Sequence, residues 1–462
     1  MNDSKQEVSM NRMGIEPVRK LLLSMGLPMI VSMALQAVYN IVDSYFVSCM
    51  KDTAEITNMG DYGVNALTLS FPVQMLMIAI GVGTGVGINA ILSKSLGENN
   101  REKASNIAGN SIFLGFCGYL VFLLFGIFGV KAYLQSQTSD PIILDMGNTY
   151  LTICTTLSFG VMMYVSFEKL LQATGRTMCT TVAQIAGALT NIILDPIMIF
   201  GYLGCPQMGI AGAAYATVIG QFVSCVLNIT FHYLYNRKDM DVDLKYIRPR
   251  GRIIKEIYQV GIPAILMQAL MSFMTYGVNI IFGAVSTAVV TAYGVYYKIQ
   301  QFVFFAAFGM NNAIIPIIGF NYGKRDKQRV QEGMKYGMIY TLIIMAIGAV
   351  GLQLFAGALV GIFAVSDETR RLTILAIRII TPGYLFVGAN IAFQGIFQAL
   401  GSGVRSLILS LLRLIIVALP LACIFTKLES ADTVIWAAFP IAEAAALVYA
   451  VVIMGKIRKQ HL

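Results

Sequence analysis

Two acidic residues, Asp43 and Asp195, interrupt long apolar segments in the first half of the sequence. Each belongs to a set of polar residues whose spacing places them on one face of a helix, namely Gln36, Tyr39, Asn40 and Asp43, and then Gln184, Asn191 and Asp195. A charge at the centre of a membrane helix costs about 2.5–3.5 kcal/mol on insertion scales, so such residues are functional candidates. Together with the amide of Asn191, the two carboxylates could exchange a proton or bind Na⁺. A buried structural hydrogen-bond network is the alternative.

The second half of the sequence is polar at comparable places but less acidic. Residues of both halves are candidates for the lining of a broad cavity: Gln36, Asn40, Gln184, Gln268, Asn279, Tyr293, Tyr296 and Glu443. Glu443 is the one mid-span acid of the second half, and it either pairs with Lys298 or Arg413 as a structural bridge or contacts a ligand. Glu168 and Lys169 lie near the end of a span, where long charged side chains can reach water.

The elements that must position these side chains are membrane helices. The chain has 462 residues, of which 57% are hydrophobic and 12% are charged, whereas soluble domains have about 25% charged residues. A bilayer core needs about 20 apolar residues per helix. This composition excludes a soluble enzyme, a disordered chain and a nucleic-acid-binding domain. Hydropathy and breaker residues predict an all-α, polytopic membrane protein with twelve spans, near residues 20–47, 62–92, 103–130, 145–170, 177–203, 208–235, 253–284, 287–321, 331–363, 371–399, 404–426 and 433–455.

Lysine and arginine are distributed unevenly between the two sides of these spans. With the N-terminus placed inside, 25 of the 33 basic residues fall on cytoplasmic segments, 5 on external segments and 3 within spans. Cytoplasmic loops carry such an excess of basic residues. We therefore expect a multi-pass protein of the cell membrane, with both termini in the cytoplasm, and the net charge of +9 reflects this topology.

Short sequence marks recur in the same order in the two halves of the chain. Gly26-Leu27-Pro28 returns as Gly261-Ile262-Pro263, and Gln172-Ala173-Thr174-Gly175 returns as Gln398-Ala399-Leu400-Gly401. Six spans per copy is an even number, so the copies share one orientation and form parallel repeats. The prediction is two six-helix lobes, residues 1–236 and 253–462, related by a pseudo-two-fold axis along the membrane normal. Residues 237–252 form a basic linker between them.

No pattern in the sequence indicates an enzyme or a bound cofactor. There is no Walker A motif, no arrangement of Ser, His and Asp for nucleophilic catalysis, and only two histidines for metal binding. The glycines of residues 81–87 lie within an apolar helix, where small residues favour close helix packing. The sequence predicts no catalytic residue and no cofactor, and a channel is a further class that transport measurements would distinguish.

Several longer motifs resemble those of one family, the multidrug and toxic compound extrusion (MATE) transporters. They occur in order along nearly the whole chain: Gln36-Ala-Val-Tyr-Asn-Ile-Val-Asp43, residues 81–97 with Asn100, Gln172-Ala-Thr-Gly175, Asn191-Ile-Ile-Leu-Asp195-Pro196, Gly209-Ile-Ala-Gly-Ala-Ala214, Gly319-Phe-Asn-Tyr-Gly323 and Pro440-Ile-Ala-Glu443. The chain is most similar to the bacterial subgroup of staphylococcal multidrug exporters and the DNA-damage-inducible type.

The resemblance implies a secondary antiporter that exports small organic cations in exchange for H⁺ or Na⁺ by alternating access. It implies an ion site in the first lobe at Asp43, Asn191 and Asp195, with Tyr39 and Thr217. A monomer in the lipid bilayer, with no nucleic-acid partner, is expected. The alternative is a lipid-linked oligosaccharide flippase of the same superfamily, although such proteins tend to have a cationic cavity and the first lobe here is acidic.

Overall fold

The structure is a computed structural model that describes residues 11–52, 58–363 and 365–461. This part of the chain is helical and contains no strand. In chain order the helices are α1 (Val18–Ser48), α2 (Met59–Gly97), α3 (Arg101–Phe128), α4 (Val130–Gln135), α5 (Pro141–Thr156), α6 (Phe159–Ala173), α7 (Thr177–Phe200), α8 (Ile210–Phe231), α9 (Gly251–Gly283), α10 (Thr287–Gly323), α11 (Lys327–Gly361), α12 (Asp367–Ile380), α13 (Tyr384–Ala399), α14 (Gly403–Leu411), α15 (Ala418–Phe425), α16 (Ala431–Val434) and α17 (Ala438–His461).

Eleven helical segments of the described chain are long and apolar enough to cross a membrane. The number becomes twelve if α5 and α6, which meet at 44°, form one broken span. The predicted all-α, polytopic fold is confirmed. The sequence predicted one span near 145–170, and the structure divides this region into two helices at residues 157–158. Thr155 and Thr156 donate to the carbonyls of Leu151 and Thr152, and such bonds from threonine to the preceding turn bend helices.

The two halves of the chain share unusual backbone conformations at equivalent turns. Asn99 and Arg325, each one residue before a helix cap, have φ of 54° and 61°. The residues that follow cap the next helices, since Asn100 accepts from the amide of Lys103 and Asp326 accepts from that of Arg329. The glycines after the fourth and tenth spans, Gly175 and Gly401, have φ of 83° and 74°. All these pairs are 226 residues apart, like the repeated Gln-Ala marks.

The halves pack against each other through glycines at one end of the molecule. A Cβ added to Gly97 would overlap the carbonyl of Phe320, and one added to Gly323 would overlap the carbonyl of Lys94. These contacts are reciprocal, because Gly97 and Gly323 are equivalent positions of the two halves. Gly87 has no room for a Cβ beside the carbonyl of Ile257. The helices therefore approach closely enough to close this end.

The closed end carries the turns around residues 98–100, 236–250 and 324–326, and we call it the basic face. Here Arg329 of the second half donates to the carbonyls of Met13 and Glu16, at 2.9 and 2.7 Å. The linker is attached to the first half, because Asn110 bonds to the backbone of Arg248 and Arg250. Among the described residues, hydrogen bonds and close glycine contacts connect the two halves from this face as far as the level of Met33 and Asn312, and none connects them beyond that level.

Candidate functional site

Close packing of α7 against α8 assembles the core of the first-half site. A Cβ on Gly220 would lie 2.6 Å from the carbonyl oxygen of Gly187, and a Cβ on Gly187 would lie 2.6 Å from that of Gly220. This approach brings Thr217 to Asn191, whose amide nitrogen lies 3.3 Å from the Thr217 hydroxyl. The same nitrogen lies 3.3 Å from Oδ1 of Asp195, one turn further along α7. The structure thus joins three of the predicted site residues by hydrogen bonds.

Asp43 approaches this group from α1, and the site has more oxygens than donors. Asp43 is 9% exposed and Asp195 is fully buried, and they are near enough for their charges to interact. Oδ1 of Asp43, Oδ2 of Asp195 and Oδ1 of Asn191 lack a hydrogen-bond partner in the described part of the chain. No ion pair of the described residues includes either carboxylate. A buried acceptor without a donor is costly, so the arrangement is suited to a proton or a small cation.

These residues border a cavity of about 310 Å³, within the size range of small-molecule sites. We call it the first-half cavity. Its lining includes predicted residues from α1, α7 and α8: Gln36, Tyr39, Asp43, Gln184, Asn191 and Thr217. Asp195 lies behind Asn191 and does not line the cavity. The side chain of Asn40 lies outside the described part of the structure.

The sequence interpretation missed seven other polar residues that line the first-half cavity: Ser44, Thr68, Gln74, Tyr150, Tyr164, Gln221 and Ser224. Gln74 donates to the hydroxyl of Tyr150 at 3.2 Å, which links α2 to α5. A glutamine inside an apolar span was a visible signal for Gln74. Tyrosines are frequent in this chain, so their type alone did not separate cavity residues from packing residues.

A smaller cavity of about 90 Å³ lies in the second half and is rich in aromatic and methionine side chains. Its lining includes four of the predicted residues, Gln268, Tyr293, Tyr296 and Glu443. Asn279 does not line it, although it shares a face of α9 with Gln268. The two residues are eleven positions apart, which corresponds to about 16 Å of helix, so Asn279 lies beyond the cavity and is exposed.

The charge of Glu443 is compensated by a basic side chain. Arg413 donates to Oε1 of Glu443 from Nε at 2.9 Å and Nη2 at 2.8 Å. Asn390 donates to Oε2 at 2.7 Å. Lys298 is exposed on α10 and is not part of this pair. The second-half cavity is therefore lined by a neutralised ion pair, whereas the first-half cavity is lined by the carboxylate of Asp43, which has no basic partner among the described residues.

Comparison with known proteins places this geometry in a family. The family model MatE matches residues 28–197 and again residues 263–424, which together cover most of the chain. The chain belongs to the MatE family. The two matches begin at Pro28 and Pro263, the prolines of the repeated Gly-Leu-Pro and Gly-Ile-Pro marks. MatE proteins are membrane transporters, so the chain is a multi-pass transporter and not an enzyme.

Several MatE proteins are similar to this chain over nearly its whole length. The multidrug export protein MepA of Staphylococcus aureus is 25% identical over 450 residues, which cover 96% of this chain and 94% of MepA. MepA of Staphylococcus saprophyticus is 24% identical and covers 91% of this chain, which in turn covers 90% of that protein. A structure described as the outward-facing conformation of a multidrug resistance MATE family transporter has a TM-score of 0.88. It is 21% identical, with 97% of this chain and 99% of that chain covered, and shows the shared MatE fold.

Proposed function

We propose that this MatE transporter exports small organic cations in exchange for H⁺ or Na⁺. The observation that carries the proposal is the pair Asp43 and Asp195, two buried carboxylates beside a cavity with no basic partner among the described residues. The names of the staphylococcal relatives, multidrug export proteins, support small organic compounds as the exported class.

The coupling follows from competition for the same negative charge. When no ion is bound, the two carboxylates attract an organic cation into the first-half cavity. A proton or Na⁺ that binds among Asp43, Asn191 and Asp195 neutralises this attraction, so the cation is released. Tyr39 and Thr217 border the same space and hold the amide and carboxyl groups in place. The coupling ion and the organic cation therefore compete for the same carboxylates. Inward movement of the ion down its gradient then drives export of the organic cation by alternating access.

The proposal includes an orientation in the membrane. We place the basic face in the cytoplasm, with both termini, because 25 of the 33 basic residues belong to segments of that side. The two halves contact each other near the basic face, so the described conformation is closed towards the cytoplasm. In this orientation the first-half cavity lies on the external side of the contacts between the halves, where the transporter would take up the coupling ion and release the exported compound.

Efflux of ethidium from cells that express the chain tests the proposal. Asp195→Asn removes a charge but keeps the size of the side chain, and we expect about a tenfold or greater loss of efflux, the size of one lost charge interaction. Asp145→Asn is the matched control, because Asp145 is exposed on α5. If the Asp195→Asn protein reaches the membrane in normal amounts and exports ethidium at the wild-type rate, the coupling role is wrong.

A further inference from the structure

A second cavity continues the first-half cavity towards the basic face. It measures about 80 Å³, and we call it the inner cavity. Gln36, Tyr164 and Gln184 line both cavities, so the two spaces adjoin. The inner cavity lies nearer the basic face, because its further lining residues on α1 precede Gln36 and all but Met162 of those on α6 follow Tyr164. An ion that leaves Asp43 and Asp195 in that direction enters the inner cavity.

A buried ion pair lies at the end of the inner cavity. Lys169 is 4% exposed, and its Nζ lies 2.8 Å from Oε1 of Gln172 and 3.8 Å from Oε1 of Glu168. Gln172 also donates to Oε1 of Glu168, so its amide joins the acid and the base. The expectation that Glu168 and Lys169 extend to the aqueous interface is wrong for Lys169, which is held inside the bundle.

The glycine run of α2 makes room for this lysine. A Cβ added to Gly85 would lie 2.7 Å from Cγ of Lys169 and 3.2 Å from its Cε. The adjacent glycines of the run serve another purpose, since Gly83 and Gly87 contact Ile265 and Ile257 of the second half. Gly85 therefore lets the lysine stem pass along α2 and places its ammonium in the inner cavity.

The ammonium of Lys169 has the charge and the ligands that a bound Na⁺ would have. It engages one carboxylate oxygen and one amide oxygen, both of which Na⁺ would otherwise use. A Na⁺ in the inner cavity would meet this fixed cation at short range in a poorly hydrated space, where like charges repel strongly. A proton needs no coordination shell and can pass between hydroxyl and carboxylate groups.

Groups able to carry a proton line the two cavities in sequence. Tyr164 of α6 lines the inner cavity together with the pair, Tyr39 and Asp43 of α1 line the adjoining first-half cavity, and Asp195 of α7 lies near Asp43. The described residues that α2 and α10 contribute to the inner cavity are uncharged. Lys169 is therefore the fixed positive charge on the route between the carboxylates and the basic face.

We propose that Lys169 determines the ion specificity of this transporter: it excludes Na⁺ from the inner cavity, so the coupling ion is H⁺. Lys169 acts through the route and not by contact with the ion site, and Gly85 and Gln172 position it. The inference rests on the proposed function, because it concerns the ion that the antiporter exchanges.

Proteoliposomes that contain the purified full-length chain provide the first test. Ethidium transport is measured with a pH gradient at equal Na⁺, and separately with a Na⁺ gradient at equal pH. We expect the pH gradient alone to drive transport in the wild-type protein. Transport driven by the Na⁺ gradient at equal pH would overturn the inference, whether or not the pH gradient also acts. If neither gradient drives transport, the proposed function itself fails, which is a distinct result.

Variants at Lys169 provide the second test. Lys169→Gln removes the charge but keeps a group that can form a hydrogen bond with Gln172. We expect Na⁺-driven transport to rise about tenfold or more in this variant, which is the effect of removing one short-range charge interaction. Lys169→Arg keeps a positive charge at this position, so its transport in response to a Na⁺ gradient should stay near zero, as in the wild-type protein. Lys131→Gln, at an exposed lysine, controls for the loss of charge alone. A folded Lys169→Gln protein with no Na⁺ response would contradict the inference; if this variant does not fold, the wild-type measurement decides.

Discussion

Arg413 and Glu443 form an ion pair inside the second half, in which Nε and Nη2 of the arginine lie 2.9 and 2.8 Å from the same carboxylate oxygen. Asn390 occupies the other oxygen at 2.7 Å. The acid of the second half is thereby neutralised and fully bonded. Asp43 and Asp195 of the first half have no such partner among the described residues. The two halves share turns and helix order, yet within the described part of the chain the acids of the first half lack a base, whereas that of the second half has one.

Removal of one partner of the Arg413–Glu443 pair should cause a large loss of stability. Arg413→Met leaves Glu443 buried, 8% exposed, without its base, and removal of one partner of a buried pair costs about 3–5 kcal/mol. Thermal unfolding of the detergent-purified protein should show this as a clear fall in Tm. In the double variant Arg413→Met with Glu443→Gln, the uncompensated charge is gone and much of the stability should return. A single variant as stable as wild type would show that the pair contributes nothing.

Replacement of the free acid in the first half should have the opposite effect on stability. Asp43→Asn removes the repulsion between Asp43 and Asp195, and the new amide can donate to acceptors that lack a donor, such as Oδ1 of Asn191. We expect the free energy of unfolding to rise by about 1 kcal/mol, the typical contribution of a hydrogen bond. Ethidium efflux should fall at the same time. The two measurements on one preparation test the trade-off between stability and function, and a loss of both would contradict it.

Two glycines of α2 offer a matched comparison of contact between the halves. In Gly87→Ala the new Cβ overlaps the backbone of Ile257, which cannot move independently of α9. In Gly81→Ala the nearest atom is 3.9 Å away, so the methyl group fits. We expect Gly87→Ala to separate the halves near the basic face. Overpacking of this kind lowers the free energy of unfolding by about 1–3 kcal/mol, so Tm should fall.

Thermal unfolding and ethidium efflux of both alanine variants provide the measurement. Gly81→Ala should retain the wild-type values, since its helix propensity improves and nothing is displaced. Equal behaviour of the two variants would show that close approach at Gly87 does not hold the halves together.

Much of the architecture could be predicted from local sequence properties. Most span ends lie within a few residues of the observed helix ends, because apolar length and breaker residues are local signals. The position of the bend in the fourth span was not predicted, since consecutive threonines within an apolar run are also compatible with a continuous membrane helix. The stripe from Gln36 to Asp43 and that from Gln184 to Asp195 identified residues of one cavity, because helical spacing places residues on a common face.

The sequence by itself determined the all-α membrane class, the recurrence of short marks in the two halves and the small set of charges within the apolar segments. These follow from hydropathy, charge and motif order along the chain. Only the tertiary structure decided which of those charges have an opposite charge nearby: Arg413 beside Glu443, Glu168 at 3.8 Å from Lys169, and none beside Asp43 and Asp195 among the described residues. The physical reason is that a partner depends on the distance and rotation between helices, which close contacts such as that of Gly187 with Gly220 set and which no spacing along one helix encodes.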